Sequence, residues 1–244
     1  MNEWYKDWFN SDFYLHVYSH RNNEDAKKLV GLILSKIKLP PSAKILDSSC
    51  GNGRHAILFA KKGYEVTGFD LSTRLLELAA KECEIQKLNV KLVRADIRNF
   101  CVKEKFDLIV NLFTSFGYFE SDEENFLFFK NALKMMHKES FLIFDYFNYD
   151  YIVNNLVEED FKRYDEILVR QKRKIIDERI IKEITIEKNG EKFSFNESVK
   201  LYRRNEFVDV FTKLGFKPIE FLGDYSGNSF NESNSPRLIM IMKI

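Results

Sequence analysis

The chain has 244 residues, 38 Lys and Arg against 37 Asp and Glu, and a formal net charge of +1. That length buries a sizeable core and suits one α/β domain with an insertion, while the balanced charge excludes a global field recruiting nucleic acid or an anionic membrane. Glu3, Lys6, Asp7 and Asp12 interrupt any apolar leader and no later run reaches a membrane span, which predicts a cytoplasmic protein; Cys50, Cys83 and Cys101 have no metal-type spacing and make no disulfide framework.

In chain order, residues 1–40 predict a helical lead-in: Asn23-Glu24-Asp25 opens a helix, Leu29, Ile33 and Ile37 recur every four residues, and Pro40-Pro41 stops it. A first strand ends at Ile45-Leu46, followed by a helix over 54–62, a strand over 64–69 and a helix over 73–88. Strands over 90–94 and 106–112, a helix over 123–137 and a fifth strand over 141–146 continue the alternation. Repeated βα units imply a parallel sheet with helices on both faces, whose ligands sit beyond the carboxyl ends of the strands. Residues 148–202 break the rhythm with alternating segments at 166–175, 179–188 and 192–202, the last two separated by the hairpin signal Asn189-Gly190. This reads as an inserted antiparallel meander, whose exposed strands are also a route to a homodimer. A helix over 204–214 capped by Gly215, then strands over 217–222 and 237–241, close the chain.

The most telling stretch is Lys44-Ile45-Leu46-Asp47-Ser48-Ser49-Cys50-Gly51-Asn52-Gly53-Arg54-His55-Ala56: a buried strand ending in a carboxylate, then a tight glycine turn that opens a helix. Such a turn brings bare backbone and unpaired N–H groups to a ligand, as at a nucleotide site. Gly51-x-Gly53-x-x-Ala56 also satisfies a dinucleotide fingerprint, with Asp70 where a ribose-binding acid belongs. Asp47 decides between the two, because a carboxylate at the strand tip repels a pyrophosphate and attracts the ammonium and sulfonium of S-adenosylmethionine. Here the chain resembles the class I S-adenosylmethionine-dependent methyltransferases, whose first motif is an acid, two residues, Cys or Gly, Gly, any residue and Gly. Ser49 stands where that family usually has Gly.

The resemblance extends to Asn111-Leu112-Phe113-Thr114-Ser115-Phe116-Gly117-Tyr118-Phe119, to the lead-in Tyr14, Tyr18 and His20-Arg21, and to Ser235-Pro236-Arg237-Leu238, signatures of a bacterial small-molecule-type branch. It implies a Rossmann-like, seven-stranded, mostly parallel sheet. The core is 1–147 and 203–244 with its lid at 1–40, and the inserted β subdomain is 148–202. Cys50, Gly51 and Gly53 would form the cofactor turn, Asp70 and Leu71 would meet the ribose, and Asp96 and Ile97 the adenine. Asn111 and Phe113 would lie by the methyl group, Arg21 would pair with the cofactor's carboxylate, and Tyr14 would close over the methionyl chain. Tyr118, Tyr146 and His20 are the candidates for handling an acceptor proton.

No Asn-Pro-Pro-Tyr motif follows the fourth strand, which disfavours methylation of exocyclic base amines, and no cysteine lies there, which sets aside carbon methylation of cytosine. His16 and His20 share a helical face, but no third ligand makes them a metal site. The basic residues Lys162-Arg163 and 170–174 suggest RNA, although strand alternation turns half of them away and a solvated sheet face accounts for them better. The expected activity is methyl transfer from S-adenosylmethionine to N or O of a small-molecule acceptor. An RNA methyltransferase, a nicotinamide-dependent oxidoreductase and a non-catalytic cofactor-binding module are the alternatives.

Overall fold

The computed structural model describes residues 3–18 and 23–244. Two short helices, α1 (Trp4–Asn10) and α2 (Phe13–Val17), precede α3 (Asn23–Lys36). There follow β1 (Lys44–Ser48), α4 (Arg54–Lys61), β2 (Glu65–Asp70), α5 (Thr73–Ile85), β3 (Val90–Arg94), β4 (Phe106–Asn111), α6 (Asp122–Ala132) and β5 (Met136–Phe147). After α7 (Tyr149–Asn154) come β6 (Glu159–Tyr164), β7 (Ile167–Ile176), β8 (Arg179–Lys188) and β9 (Glu191–Lys200). The closing elements are α8 (Arg204–Leu214), β10 (Lys217–Leu222) and β11 (Arg237–Lys243).

Seven strands form one sheet in the order β10-β11-β5-β4-β1-β2-β3, antiparallel at β10 and β11 and parallel elsewhere. Its central strands are buried along most of their length because both faces are covered. Successive residues turn to opposite layers. Ile45 and Leu108 pack under Leu29, Ile33 and Phe59 of α3 and α4, whereas Leu46 and Ile109 join Phe129, Phe207 and Phe211 of α6 and α8. Helix α3 is therefore a layer of the sheet, and only α1 and α2 lie over the strand ends, held by Ser72 Oγ donating to Phe9 O at 2.8 Å.

Strands β6 to β9 form a separate antiparallel sheet whose inner face, Ile167, Val169, Ile184 and Ile186, packs on Trp8 and Val17 of α1 and α2. Two elements differ from the sequence expectation. The helix read over 123–137 ends at Ala132, where a 3-10 turn delivers the chain to β5 at Met136, paired with Phe106. Helix α7 and edge strand β6 fill a stretch with no apolar period. Arg170 and Lys174 lie on the exposed face and pair with Glu159 and Glu183 of the same sheet, whereas Arg173 turns to the other face, largely buried, and pairs with Asp160.

Candidate functional site

The turn after β1 is left-handed at three residues, Ser49 (φ 54°), Gly51 (φ 56°) and Gly53 (φ 78°). Cys50 N–H donates to Phe69 O at 2.9 Å and Gly53 N–H to Cys50 O at 3.0 Å, folding the loop flat across the tip of β2. A Cβ on Gly53 would lie 2.9 Å from Cβ of Ala79, so glycine alone lets the turn sit against α5. Ser49 adopts the same backbone with a side chain, at a cost of roughly 1 kcal/mol relative to glycine.

Asp47, one residue before the end of β1, lies between Gly68 and Val110, is 1% exposed, and its Oδ2 has no hydrogen-bond partner. Burial pushes its carboxyl up to about 7, with Asp70 adding to the rise and the Ala56 N–H and Arg54 opposing it. Two neighbours are also incompletely satisfied. Asn111 at the tip of β4 donates through Nδ2 to Ser48 Oγ (3.0 Å) and Ser115 O (3.2 Å), leaving Oδ1 unpartnered. His55 Nε2 is likewise unpartnered, and burial pushes that ring down to about 3, making it a neutral imidazole. Asp47 and His55 line a cavity of about 410 Å³ together with Tyr14, Cys50, Gly51 and Phe113. Buried polar atoms without partners are costly, and three of them at adjoining strand and helix ends fit a ligand that completes their bonding.

A second chamber, about 80 Å³, continues along Asp70, Leu71, Asp96 and Ile97. Asp70 accepts from Gly51 N–H at Oδ2 and from Ser72 N–H at Oδ1, both at 2.8 Å, joining the glycine turn to the start of α5. Burial raises its pKa while those backbone donors oppose the rise. Asp96 is gripped by Arg98, with Nη2 to Oδ2 at 2.7 Å and Nε to Oδ1 at 3.1 Å. Burial works against its ionisation, but the Arg98 bonds prevail and hold its carboxyl below the usual range. Arg98 also pairs with Glu124 at 2.9 Å and lies over Phe119.

Beyond β4 the chain turns through two left-handed residues, Phe113 (φ 56°) and Thr114 (φ 63°). Asp145 of β5, fully buried, braces them: its Oδ2 accepts from Phe113 N–H (3.0 Å) and Tyr225 OH (2.9 Å), and its Oδ1 from Arg237 Nε (2.8 Å). Arg237 also donates to Thr114 Oγ1 at 2.9 Å, and Tyr118 OH to Thr114 O at 2.9 Å. Sequence reasoning passed over Asp145, whose signal is a single acid inside the apolar run Phe141-Leu142-Ile143-Phe144-Asp145-Tyr146-Phe147.

The expected cofactor residues Tyr14, Asp47, Cys50, Gly51, Asp70, Leu71, Asp96, Ile97 and Phe113 thus line two adjoining chambers, with Gly53 and Asn111 immediately behind them. Tyr118 lines both chambers. Tyr146 does not belong with them: it is fully buried among Phe116, Phe144 and Phe207, and its hydroxyl donates to Lys200 O. Its role is packing, because period-2 alternation in β5 turns it to the face opposite Asp145. His20 and Arg21 lie outside the described residues, and His16 is exposed. Among the described residues no cluster of His, Cys, Asp and Glu could hold a metal, and no helix is long and apolar enough to cross a membrane.

Residues 45–138 match the family described as Methyltransferase domain. The structure is similar to an S-adenosylmethionine-dependent methyltransferase from Clostridium acetobutylicum ATCC 824, at 20% identity over 95% of this chain and 97% of that one, with a TM-score of 0.83. It is similar also to an amino pentose methyltransferase from Micromonospora echinaspora, solved with S-adenosylmethionine bound, at 18% identity over 96% and 97% of the two chains, with a TM-score of 0.71. Among curated proteins, the dTDP-3-amino-3,4,6-trideoxy-alpha-D-glucopyranose N,N-dimethyltransferase of Streptomyces venezuelae is 31% identical over 100 residues, 41% of this chain and 40% of that protein. The match therefore spans well under half of that relative's length. Residues 45–138 thus resemble a methyltransferase domain, and the chain as a whole shares the fold of that S-adenosylmethionine-dependent methyltransferase.

Proposed function

We propose that the chain transfers a methyl group from S-adenosylmethionine to nitrogen or oxygen of a small-molecule acceptor. The observation that carries this reading is the unpartnered Oδ2 of buried Asp47 beside a left-handed glycine turn. A cationic ligand relieves the cost of that carboxylate, whereas a diphosphate would add to it. Asp47 and Cys50 to Gly53 would hold the methionyl end, Asp70 the ribose hydroxyls, and Asp96 with Ile97 the adenine. Bound there, the cofactor supplies an electrophilic methyl group. The protein's own work is to orient the acceptor and exclude water, which α1, α2 and the braced Phe113-Thr114 turn do by closing the crevice. The small-molecule class is supported by relatives whose names specify amino sugars.

Calorimetry tests the reading: micromolar binding of S-adenosylhomocysteine with none of NADH is expected, followed by transfer of labelled methyl into a metabolite fraction. Binding of NADH alone would falsify it. Methyl transfer confined to tRNA would favour the RNA enzyme instead.

A further inference from the structure

A third chamber, about 60 Å³, runs between the lid and the inserted sheet, walled by Thr114, Phe147, Ile180, Lys182, Glu197 and Val199. Tyr14 and Tyr118 line this chamber and both cofactor chambers, so the three meet at those two rings. On β8 and β9, Ile180 faces Val199 and Lys182 faces Glu197. Glu197 is 7% exposed; its Oε1 accepts from Trp8 Nε1 at 2.6 Å and Tyr18 OH at 2.5 Å, and its Oε2 accepts from Lys182 Nζ at 2.9 Å. A carboxylate oxygen takes two donors, so Oε1 is saturated and Oε2 retains one acceptor position.

We propose that this chamber is the acceptor subsite and that it takes a compact primary or secondary amine, which donates an N–H to Glu197 Oε2. The assignment rests on the methyl transfer inferred above. Lys182 neutralises Glu197, so among the described residues the chamber's lining carries no net charge to hold a phosphate and suits the uncharged amine, the form that attacks. The nitrogen lone pair forms the new bond to the methyl carbon, the carbon–sulfur pair leaves with sulfur, and the methylated nitrogen carries a positive charge until its proton passes to water. A carboxylate hydrogen-bonded to that nitrogen stabilises the charge as it develops, and the rings of Tyr14 and Tyr118 add a cation-binding wall, the Tyr18 ring being taken by Lys182. A hydroxyl acceptor has the opposite need, since it must lose its proton as it attacks. Burial raises the Glu197 pKa, but Lys182 and the Tyr18 and Trp8 hydrogen bonds outweigh this and make it a weak base. The arrangement therefore selects nitrogen over oxygen.

The test incubates the full chain with methyl-labelled S-adenosylmethionine and a low-molecular-weight bacterial extract, then separates labelled products by cation exchange at acid pH. Label retained as cationic amines is expected. Glu197→Gln and, independently, the chamber-filling Val199→Phe should each lower transfer at least about tenfold while leaving S-adenosylhomocysteine affinity within about twofold by calorimetry. Label in uncharged ethers or esters overturns the assignment, as does wild-type transfer by Glu197→Gln, or no labelled product from a protein that binds S-adenosylhomocysteine. Product chemistry from the wild type decides even where a variant does not fold. Failure of the wild type to bind S-adenosylhomocysteine removes the methyltransferase reading itself.

Discussion

Strands β1, β2 and β4 meet the crevice end-on, whereas β8 and β9 meet it broadside. Asp47, Asp70 and Asn111 arrive at the site because each lies at or one residue before the end of a strand buried on both faces, where the pleat and the following turn leave little choice of position. Lys182 and Glu197 arrive as one cross-strand pair in a row that continues through Ile184 with Phe195 and Ile186 with Phe193 against the lid. The end-on half builds a site from backbone N–H groups and strand tips, and the broadside half from side chains that exchange freely without moving the backbone. On the proposed function, cofactor binding and acceptor choice would fall to different sheets.

The largest expected effect lies at the seam between these halves. Arg237→Ala leaves Asp145 buried beneath the Phe113-Thr114 turn without its ion-pair partner, and should cost roughly 3–5 kcal/mol in urea unfolding. A loss below about 1 kcal/mol would break the picture of a braced junction.

Asp47→Asn sharpens the comparison from the end-on side. It should weaken S-adenosylhomocysteine by roughly 2–4 kcal/mol, some 30- to 1,000-fold, because the ligand's ammonium loses its counter-charge. The cofactor-free protein should behave the other way. With Asp47 raised from 3.8 to about 7, the folded state keeps a proton that the unfolded state has lost, so wild-type stability falls as pH rises through that window. Asn escapes that penalty, and the variant's melting temperature should exceed the wild type's by more at pH 8 than at pH 5. Unchanged affinity in this variant sinks the charge argument.

Tyr146→Phe should have the smallest effect, about 1 kcal/mol from one lost hydrogen bond, with methyl-transfer rate unchanged. A large fall in rate at unchanged stability would return Tyr146 to the reaction and blur the two halves.

How much of this was legible follows the same division. Asp47, Gly51, Gly53 and Asp70 announce themselves because their spacing is local and each residue type has a backbone reason. Glu197 and Lys182 carry no such mark. In an alternating strand a charge reads as solvent-facing, and only the docking of Trp8 and Tyr18 shows that this pair points inward. Asp145 and Arg237 find each other across 92 positions, a distance no periodicity reports. The helix read through residue 137 failed because Phe128, Phe129, Ala132, Met135 and Met136 stay apolar across the change from helix to strand, and composition cannot mark a boundary inside one continuous core.

The pairing of β5 with β11 also bears on how the chain finds its fold. Joining those strands directly means closing a loop of about ninety residues, a cost that grows with the logarithm of its length. The strands between them pair only with sequence neighbours, β6 with β7, β7 with β8, and β8 with β9. Such hairpins rest on local contacts and gather much of the intervening chain into a compact body, and in the folded structure Lys200 N–H donates to Gly117 O at its end. The insertion that shapes the substrate half is thus also a tether-shortener for the last strand to dock, and lengthening the Asn189-Gly190 turn should slow refolding more than it lowers stability.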